Sequence, residues 1–143
     1  MRVLVLTTSI CLFSLLCRGQ STAIVTSLDK DPVTGKVIVK NLTPAQLSAM
    51  LGSPTLFVYD CNEEDMYKEA HVPGAKLTVY DEVTADKLPP DRNATLVFYC
   101  YSPECPAAGS AARSAIALGY TDVHCMVEGI TGWQDAGLTT EPK

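Results

Sequence analysis

The sequence is poor in histidine, in aromatic residues and in basic charge. Its only histidines are His71 and His124, too few to supply a histidine-based zinc site without other ligands. Aromatic residues make up 7% of the chain, and Lys and Arg number 11 against 16 Asp and Glu. An acidic chain is unsuited to binding nucleic acid or an anionic lipid surface, so neither is expected as a partner.

The sequence also lacks an apolar run long enough to span a membrane. Residues 3–16 are apolar apart from four hydroxyl residues, and about 14 residues fall short of the roughly 20 that a bilayer span requires. Arg2 precedes this run and small residues follow it. This pattern predicts a signal peptide over 1–23, cleaved after Gly19 or Ala23. A buried amphipathic helix is the alternative, although the run has no polar face.

A signal peptide implies export, so the expected location is periplasmic or secreted. Leu15-Leu16-Cys17 offers a second possibility, a lipoprotein anchored at Cys17, although a lipobox has a small residue before its cysteine. Removing Arg2 and Arg18 with the leader leaves nine basic residues against 16 acidic ones, a net charge of −7. Beyond export itself, no contact with a membrane is expected.

Cysteine is moderately abundant, with six in the chain. Cys11 and Cys17 belong to the predicted leader. The body keeps Cys61, Cys100, Cys105 and Cys125. Four thiols in an exporting compartment invite disulfides, but their density is well below that of a disulfide scaffold. Two buried free thiols and one reactive pair is an equally good account.

The body alternates short strands with helices. A linker is expected over 24–36 and a single domain over 37–143. Strands are predicted at 36–39, 56–59, 76–79, 95–99 and 122–126, and helices at 44–51, 63–70, 82–88, 106–118 and 130–136. The alternation predicts an α/β domain with a largely parallel sheet.

Two local patterns are especially informative. Thr43, Pro44 and Gln46 have the spacing of a capping box with proline at the first helical position. The continuous apolar run 95–99 is typical of a central strand covered on both faces. Cys100 follows that strand, at the sheet edge where ligands of open α/β sheets bind.

Three segments in order resemble a rhodanese domain. The first is Asp60 followed by His71-Val72-Pro73-Gly74-Ala75. The second is Tyr99-Cys100 before an Ala-rich helix that ends at Gly119, and the third is Gly129-Ile130-Thr131-Gly132-Trp133. The resemblance runs from about residue 37 to 141, and it implies a central, mostly parallel sheet flanked by helices on both faces.

The resemblance implies sulfur transfer through a persulfide on Cys100. Loop amides and the N-terminus of the next helix would stabilise the thiolate. The loop residues in this position are Tyr101, Ser102, Pro103, Glu104 and Cys105. Asp60 and His71 would support the site structurally. Such chemistry needs no metal and no organic cofactor. The expected partners of this monomer are a small sulfane-sulfur donor and a thiol acceptor, which could be a protein thiol.

The sequence departs from the usual pattern in its charges. Cys105 stands where the loop often ends in a basic residue, Glu104 makes the loop acidic, and Asn62 stands where many members carry Arg. Because a dianion needs positive partners, thiosulfate is a doubtful donor. Arg113, in the next helix, is the nearest candidate for an anion partner. A subset of rhodanese-like proteins has a similar Cys-x4-Cys-Pro loop.

Alternatives remain open at this stage. The domain could be a non-catalytic or redox-sensing module with a reversible Cys100–Cys105 disulfide, or Cys105 could be a helix-start residue that points away. Cys61 is expected to be small and buried, and Cys125 to lie in the core. A related tyrosine phosphatase would need Arg six residues after the cysteine, where this chain has Pro106.

Overall fold

The computed structural model describes residues 36–142. The predicted signal peptide, the candidate lipid anchor at Cys17 and nearly all of the predicted linker lie outside this range. The elements are β1 (Lys40–Asn41), α1 (Pro44–Met50), β2 (Leu56–Asp60), α2 (Glu64–Glu69), β3 (Lys76–Leu77), β4 (Thr95–Tyr99), α3 (Ala107–Ala117), β5 (Asp122–Met126) and α4 (Gly129–Asp135).

The strands form one five-stranded parallel sheet in the order β1-β5-β4-β2-β3. Strand β4 is central and pairs along its whole length with β2 and with β5. Its residues Leu96 to Tyr99 have no exposed surface. The prediction of a central strand covered on both faces is therefore confirmed.

Apolar clusters cover the two faces of the sheet. Leu96 and Phe98 face α3, which contributes a row of buried alanines that includes Ala111. Val97 and Tyr99 point to the opposite face, because side chains alternate along a strand, and they pack with residues of α1 and α4. Trp133 of α4 is 1% exposed there. The α/β architecture with helices on both faces is confirmed.

Helix α1 begins as the capping-box pattern predicts. The Gln46 N–H donates to Thr43 Oγ1 at 3.3 Å, and the Thr43 N–H donates to Gln46 Oε1 at 2.8 Å. Pro44 occupies the first helical position, where the missing N–H costs nothing. The helix ends just before Gly52, which has a φ of 86°.

The strand predicted at 36–39 is displaced. The ladder with β5 instead joins Lys40 to His124 and Asn41 to Cys125. The β-branched residues at 37–39 favour extended backbone locally, but strand pairing also requires a partner at the right register. That partner, β5, lies opposite Lys40–Asn41.

Residues 82–88 form turns rather than the predicted helix. The Glu82 N–H donates to the Val79 carbonyl at 3.0 Å, and the Lys87 N–H donates to the Thr84 carbonyl at 3.1 Å. Each of these hydrogen bonds closes a turn by reaching the residue three positions earlier. Leu88 precedes Pro89 and Pro90, and a residue before proline is disfavoured in the helical region. The prolines therefore prevent the turns from continuing as a helix.

Asp122 ties three neighbouring strands together at the start of β5. Its carboxylate accepts from His124 Nε2 at 2.9 Å and from Thr95 Oγ1 at 2.7 Å, and Lys40 Nζ lies 3.5 Å away. These contacts, with the His124 hydrogen bond foremost, hold the pKa of Asp122 down to about 2.

We expect the free energy of unfolding to fall by about 1–2 kcal/mol as the pH drops from about 4 to about 2. The unfolded chain takes up a proton near the ordinary pKa of 3.8, whereas the folded chain resists it until about 2. Urea unfolding of the parent and Asp122→Asn at about pH 5 and about pH 2 measures this. The gap between the two proteins should narrow in acid, and an unchanged gap would contradict the assignment.

Candidate active site

Cys100 lies at the carboxyl edge of the sheet, immediately after β4. The neighbouring strand β2 ends beside it, and the Cys61 N–H donates to the Tyr99 carbonyl at 2.8 Å. The Cys100 Sγ lies 3.9 Å from the Cys61 carbonyl oxygen. Cys100 is 5% exposed, so the sheet edge holds its sulfur in a nearly buried position.

Cys100 forms a disulfide with Cys105, and their Cα atoms are 6.2 Å apart. Cys61 and Cys125 are free and buried. The sequence left pairing and non-pairing of Cys105 equally open, and the structure adopts the paired arrangement. The loop therefore curls back, so that the sixth residue of the Cys-x4-Cys segment meets the first.

The loop offers fewer amides to Cys100 than the resemblance to a rhodanese domain implies. Pro103 has no N–H to donate, and the Cys105 N–H donates to the Ser102 carbonyl at 3.0 Å. Of the five loop positions named from the resemblance, only Tyr101, Ser102 and Glu104 keep an N–H outside this turn. In the paired form, a full ring of loop amides around Cys100 is therefore not available.

The loop is fastened instead to the start of α4. The Ile130 N–H donates to the Cys100 carbonyl at 2.9 Å, and the Thr131 N–H donates to the Tyr101 carbonyl at 3.1 Å. Gly129 makes this approach possible. It has a φ of 66°, and a Cβ there would lie 2.7 Å from the Cys100 carbonyl oxygen. This anchor was not predicted from the sequence.

Helix α3 begins two residues after Cys105, with Ala107. Its N-terminus carries about half a positive charge. Arg113 on the same helix lines the cavity that holds both Cys100 and Cys105. The sequence named Arg113 as the nearest candidate for an anion partner. It is exposed, yet its position at the cavity supplies the positive charge that the loop lacks.

Glu104 does not line that cavity. Its carboxylate accepts a hydrogen bond from Ser102 Oγ at 2.6 Å, and this bond lowers the pKa of Glu104. The side chain is exposed, so solvent and salt screen its charge. The acidic character of the loop therefore affects the cavity less than the sequence suggested.

A cavity of about 470 Å³ lies beside Cys100. It opens between the ends of β2 and β4, α2 and the start of α3, and its chemically distinctive lining residues are Cys61, Asn62, Met66, Tyr80, Ser110 and Arg113. A second cavity of about 260 Å³, near Lys76, contains no cysteine. The larger cavity thus combines the thiol pair with polar and apolar surface suited to a small ligand.

Asn62 is 8% exposed, and neither polar atom of its side chain has a hydrogen-bond partner among the described residues. The Asn62 side-chain amide lies close enough to the Asp60 carboxylate to lower the pKa of Asp60, but the pair does not meet hydrogen-bond geometry. Buried polar groups usually find partners. An unpartnered amide at the cavity wall is therefore able to bind a ligand, a role that the sequence did not assign.

The other two cysteines are poor nucleophiles. Burial raises the pKa of Cys61, and the neighbouring Asp60 raises it further. Burial also raises the pKa of Cys125. Both side chains therefore stay protonated near neutral pH, and nucleophilic attack requires the thiolate.

Asp60 and His71 both have hydrogen-bond partners within the protein. The Asp60 carboxylate accepts from Tyr99 Oη at 2.6 Å and from the Asn62 N–H at 2.8 Å. Burial raises the pKa of Asp60 more than these bonds lower it. His71 Nδ1 lies 2.8 Å from the Tyr67 carbonyl, and His71 does not line the cavity. Asp60 thus holds the strand before Cys100, and His71 holds the adjoining turn.

No group of three or more His, Cys, Asp or Glu side chains in residues 36–142 is arranged to hold a metal ion. Within the same range, no helix has the length and apolarity needed to cross a membrane.

Comparison with known proteins agrees with the geometry. A family model described as the rhodanese-like domain matches residues 43–136. No match was found among curated proteins.

Several solved structures share the fold. The BH2092 protein from Bacillus halodurans is 24% identical, with a TM-score of 0.65 over 72% of this chain and 77% of that chain. A thiosulfate sulfurtransferase from Pseudomonas aeruginosa is 25% identical, with a TM-score of 0.63 over 76% of this chain and 21% of that chain. RPA3614 from Rhodopseudomonas palustris, described as a possible tyrosine phosphatase, is 21% identical, with a TM-score of 0.61 over 72% of this chain and 85% of that chain.

Proposed function

This chain belongs to the rhodanese-like family, and we propose that it transfers sulfane sulfur through a persulfide on Cys100. One observation carries the proposal: Cys100 lines a cavity of about 470 Å³ together with Arg113 and the unpartnered side chain of Asn62. A nucleophile, a cation and a free hydrogen-bonding amide thus face one space large enough for a small donor.

The reaction begins with the reduced pair. The Cys100 thiolate, favoured by the N-terminus of α3, attacks the outer sulfur of a sulfane donor. The donor's sulfur–sulfur bond breaks, and the rest of the donor leaves with the bonding electrons. The persulfide on Cys100 then passes its terminal sulfur to an acceptor thiol.

Two alternatives differ in their chemistry. A phosphatase, the activity suggested in the description of the RPA3614 neighbour, would need an arginine at the position of Pro106 to bind phosphoryl oxygens. A redox module would use the Cys100–Cys105 disulfide itself, without any sulfur donor. The second is the stronger competitor, because the bond is present.

Intact mass separates sulfur transfer from a purely redox role. The reduced Cys105→Ser variant, in which Cys100 cannot close on Cys105, is mixed with glutathione persulfide. We expect a gain of about 32 Da on Cys100. A purely redox module would show no gain in the variant. If the protein were such a module, the unmodified chain would lose only about 2 Da on oxidation, whether or not a donor is present.

Thiosulfate is expected to be a weak donor, and Arg113 should contribute much of the binding free energy of thiosulfate. Arg113→Gln should lower kcat/KM for thiosulfate about tenfold or more, since a charge-assisted hydrogen bond contributes about 1.5–3 kcal/mol. Added salt should lower kcat/KM for thiosulfate in the unmodified protein and should lower it less in Arg113→Gln. Lys87→Gln is the matched control, because Lys87 pairs with Glu82 at 3.0 Å and lies outside the cavity. Equal losses in both variants would exclude Arg113 as an anion ligand.

We also propose that the protein acts after export, with a small sulfane donor and a thiol acceptor as partners. The support is the leader pattern in residues 1–23 and a cysteine pair that suits an oxidising compartment. In such a compartment the closed pair would block sulfur transfer until it is reduced.

A further inference from the structure

Cys105 differs from the other cysteines near Cys100. It is partly buried rather than fully buried, it is bonded to Cys100, and it lies two residues before the start of α3, whose N-terminus favours a thiolate. Cys61 and Cys125 are buried free thiols. Among the described cysteines, Cys105 is therefore the one placed to react both with Cys100 and with groups from solution.

We propose that Cys105 is the resolving thiol for the Cys100 persulfide, so that the protein releases sulfane sulfur as hydrogen sulfide. The inference rests on the proposed function, because it requires that persulfide. The Cys105 thiolate attacks the Sγ of Cys100 in the protonated persulfide. A Cys100–Cys105 bond forms, the bond to the outer sulfur breaks, and HS⁻ leaves with the electron pair. The two cysteine sulfurs supply the two electrons that reduce the outer sulfur.

Backbone geometry favours attack on the inner sulfur. The 6.2 Å separation of the two Cα atoms lies within the roughly 4.4–6.8 Å that a disulfide allows. The Cys100 carbonyl is fixed by the Ile130 N–H at 2.9 Å, and Cys105 is fixed by its own N–H to Ser102 at 3.0 Å. The chain thus brings the two Sγ atoms together, without needing an outside thiol to reach a cysteine that is 5% exposed.

The cavity supplies what the departing group needs. It provides space beside Cys100, and Arg113 lines it as the cation that can stabilise HS⁻. The closed pair must then be reopened by a dithiol reductant. Its first thiol attacks Cys105, the more accessible sulfur, and its second releases the mixed disulfide. Each cycle therefore consumes one donor sulfur and one dithiol, and yields one sulfide.

A single-turnover experiment tests this step. Every protein is the full chain with Cys11→Ser and Cys17→Ser, so that leader thiols do not interfere. The reduced protein, freed of reductant, receives one equivalent of glutathione persulfide without oxygen. Sulfide is trapped with a bimane reagent, and the cysteines are mapped by peptide mass. We expect about one sulfide for each Cys100–Cys105 disulfide formed. Cys105→Ser should retain about 32 Da on Cys100 and release sulfide at least about tenfold more slowly.

The outcomes separate the two proposals. A parent chain that keeps the added sulfur and releases no sulfide overturns the resolving role while sulfur transfer stands. Equal sulfide release by the parent and Cys105→Ser also overturns it. If neither protein takes up sulfur or releases sulfide, the proposed persulfide fails as well. Should Cys105→Ser not fold, the parent alone decides, because sulfide release without the mapped Cys100–Cys105 disulfide contradicts the mechanism.

Discussion

Replacing Cys100 with serine is expected to abolish persulfide formation, with at least about a thousandfold loss of sulfur transfer. A serine hydroxyl stays protonated at this position and cannot form the sulfur–sulfur bond. Among the cavity cysteines, Cys61 has its pKa raised by burial, so it should not substitute as a nucleophile. The measurement is the mass added at each cysteine after mixing the reduced variant with glutathione persulfide.

Cys105→Ser is the matched control for this substitution. Both variants lose the same six-residue disulfide ring, which the chain-entropy model values at about 2 kcal/mol, but only Cys100→Ser loses the nucleophile. The control should gain about 32 Da on Cys100, whereas Cys100→Ser combined with Cys105→Ser, which removes the freed Cys105 thiol, should gain nothing. Cys125→Ser, in the core, should mainly lower stability. Persulfide found on another cysteine of that double variant would refute the assignment.

Much of the fold was predictable because its signals are local and agree with one another. The apolar run 95–99 indicated a central strand, and the capping-box spacing of Thr43, Pro44 and Gln46 marked a helix start that the structure has. The errors occurred where tertiary context decides. The residues at 37–39 favour extended structure, yet the register of β5 moved the pairing to Lys40–Asn41. The stretch 82–88 could form a helix by propensity, but it forms turns. The following prolines prevent those turns from extending into a helix.

The nucleophile was predictable, whereas its surroundings were only partly so. Cys100 follows the most apolar strand, and in a parallel sheet that position alone places it at the ligand edge. Arg113 lies 13 residues further along the chain, and its approach to the cavity depends on how α3 packs. Asn62 was noted only as a missing arginine. Its lack of a partner can be recognised only after neighbouring groups are placed.

The contact between the Cys100 loop and α4 had a sequence signal that was not used. Gly129 begins the segment that resembles the late family motif, but the motif does not tell which backbone lies against it. The structure supplies the reason: the carbonyls of Cys100 and Tyr101 accept from the first amides of α4. The glycine is needed because these peptide groups occupy the space of a side chain.

Gly129→Ala is therefore expected to damage both stability and activity. A left-handed φ costs an alanine about 1–2 kcal/mol, and forcing a methyl group against the loop adds about 1–3 kcal/mol. The collision falls on the carbonyl groups of Cys100 and Tyr101. A displacement of about 1 Å at a reacting group can cost about a hundredfold in rate. Urea unfolding and the rate of persulfide formation would measure the two effects.

Gly137→Ala isolates the contribution of the loop contact. Gly137 has a φ of 70°, close to that of Gly129, but nothing lies within 4 Å of a Cβ placed there. Its substitution should carry the conformational cost of about 1–2 kcal/mol and leave the persulfide rate nearly unchanged. The additional loss in the rate of persulfide formation in Gly129→Ala then measures the effect of displacing Cys100. Equal rates of persulfide formation in the two variants would mean that the α4 anchor does not position the nucleophile.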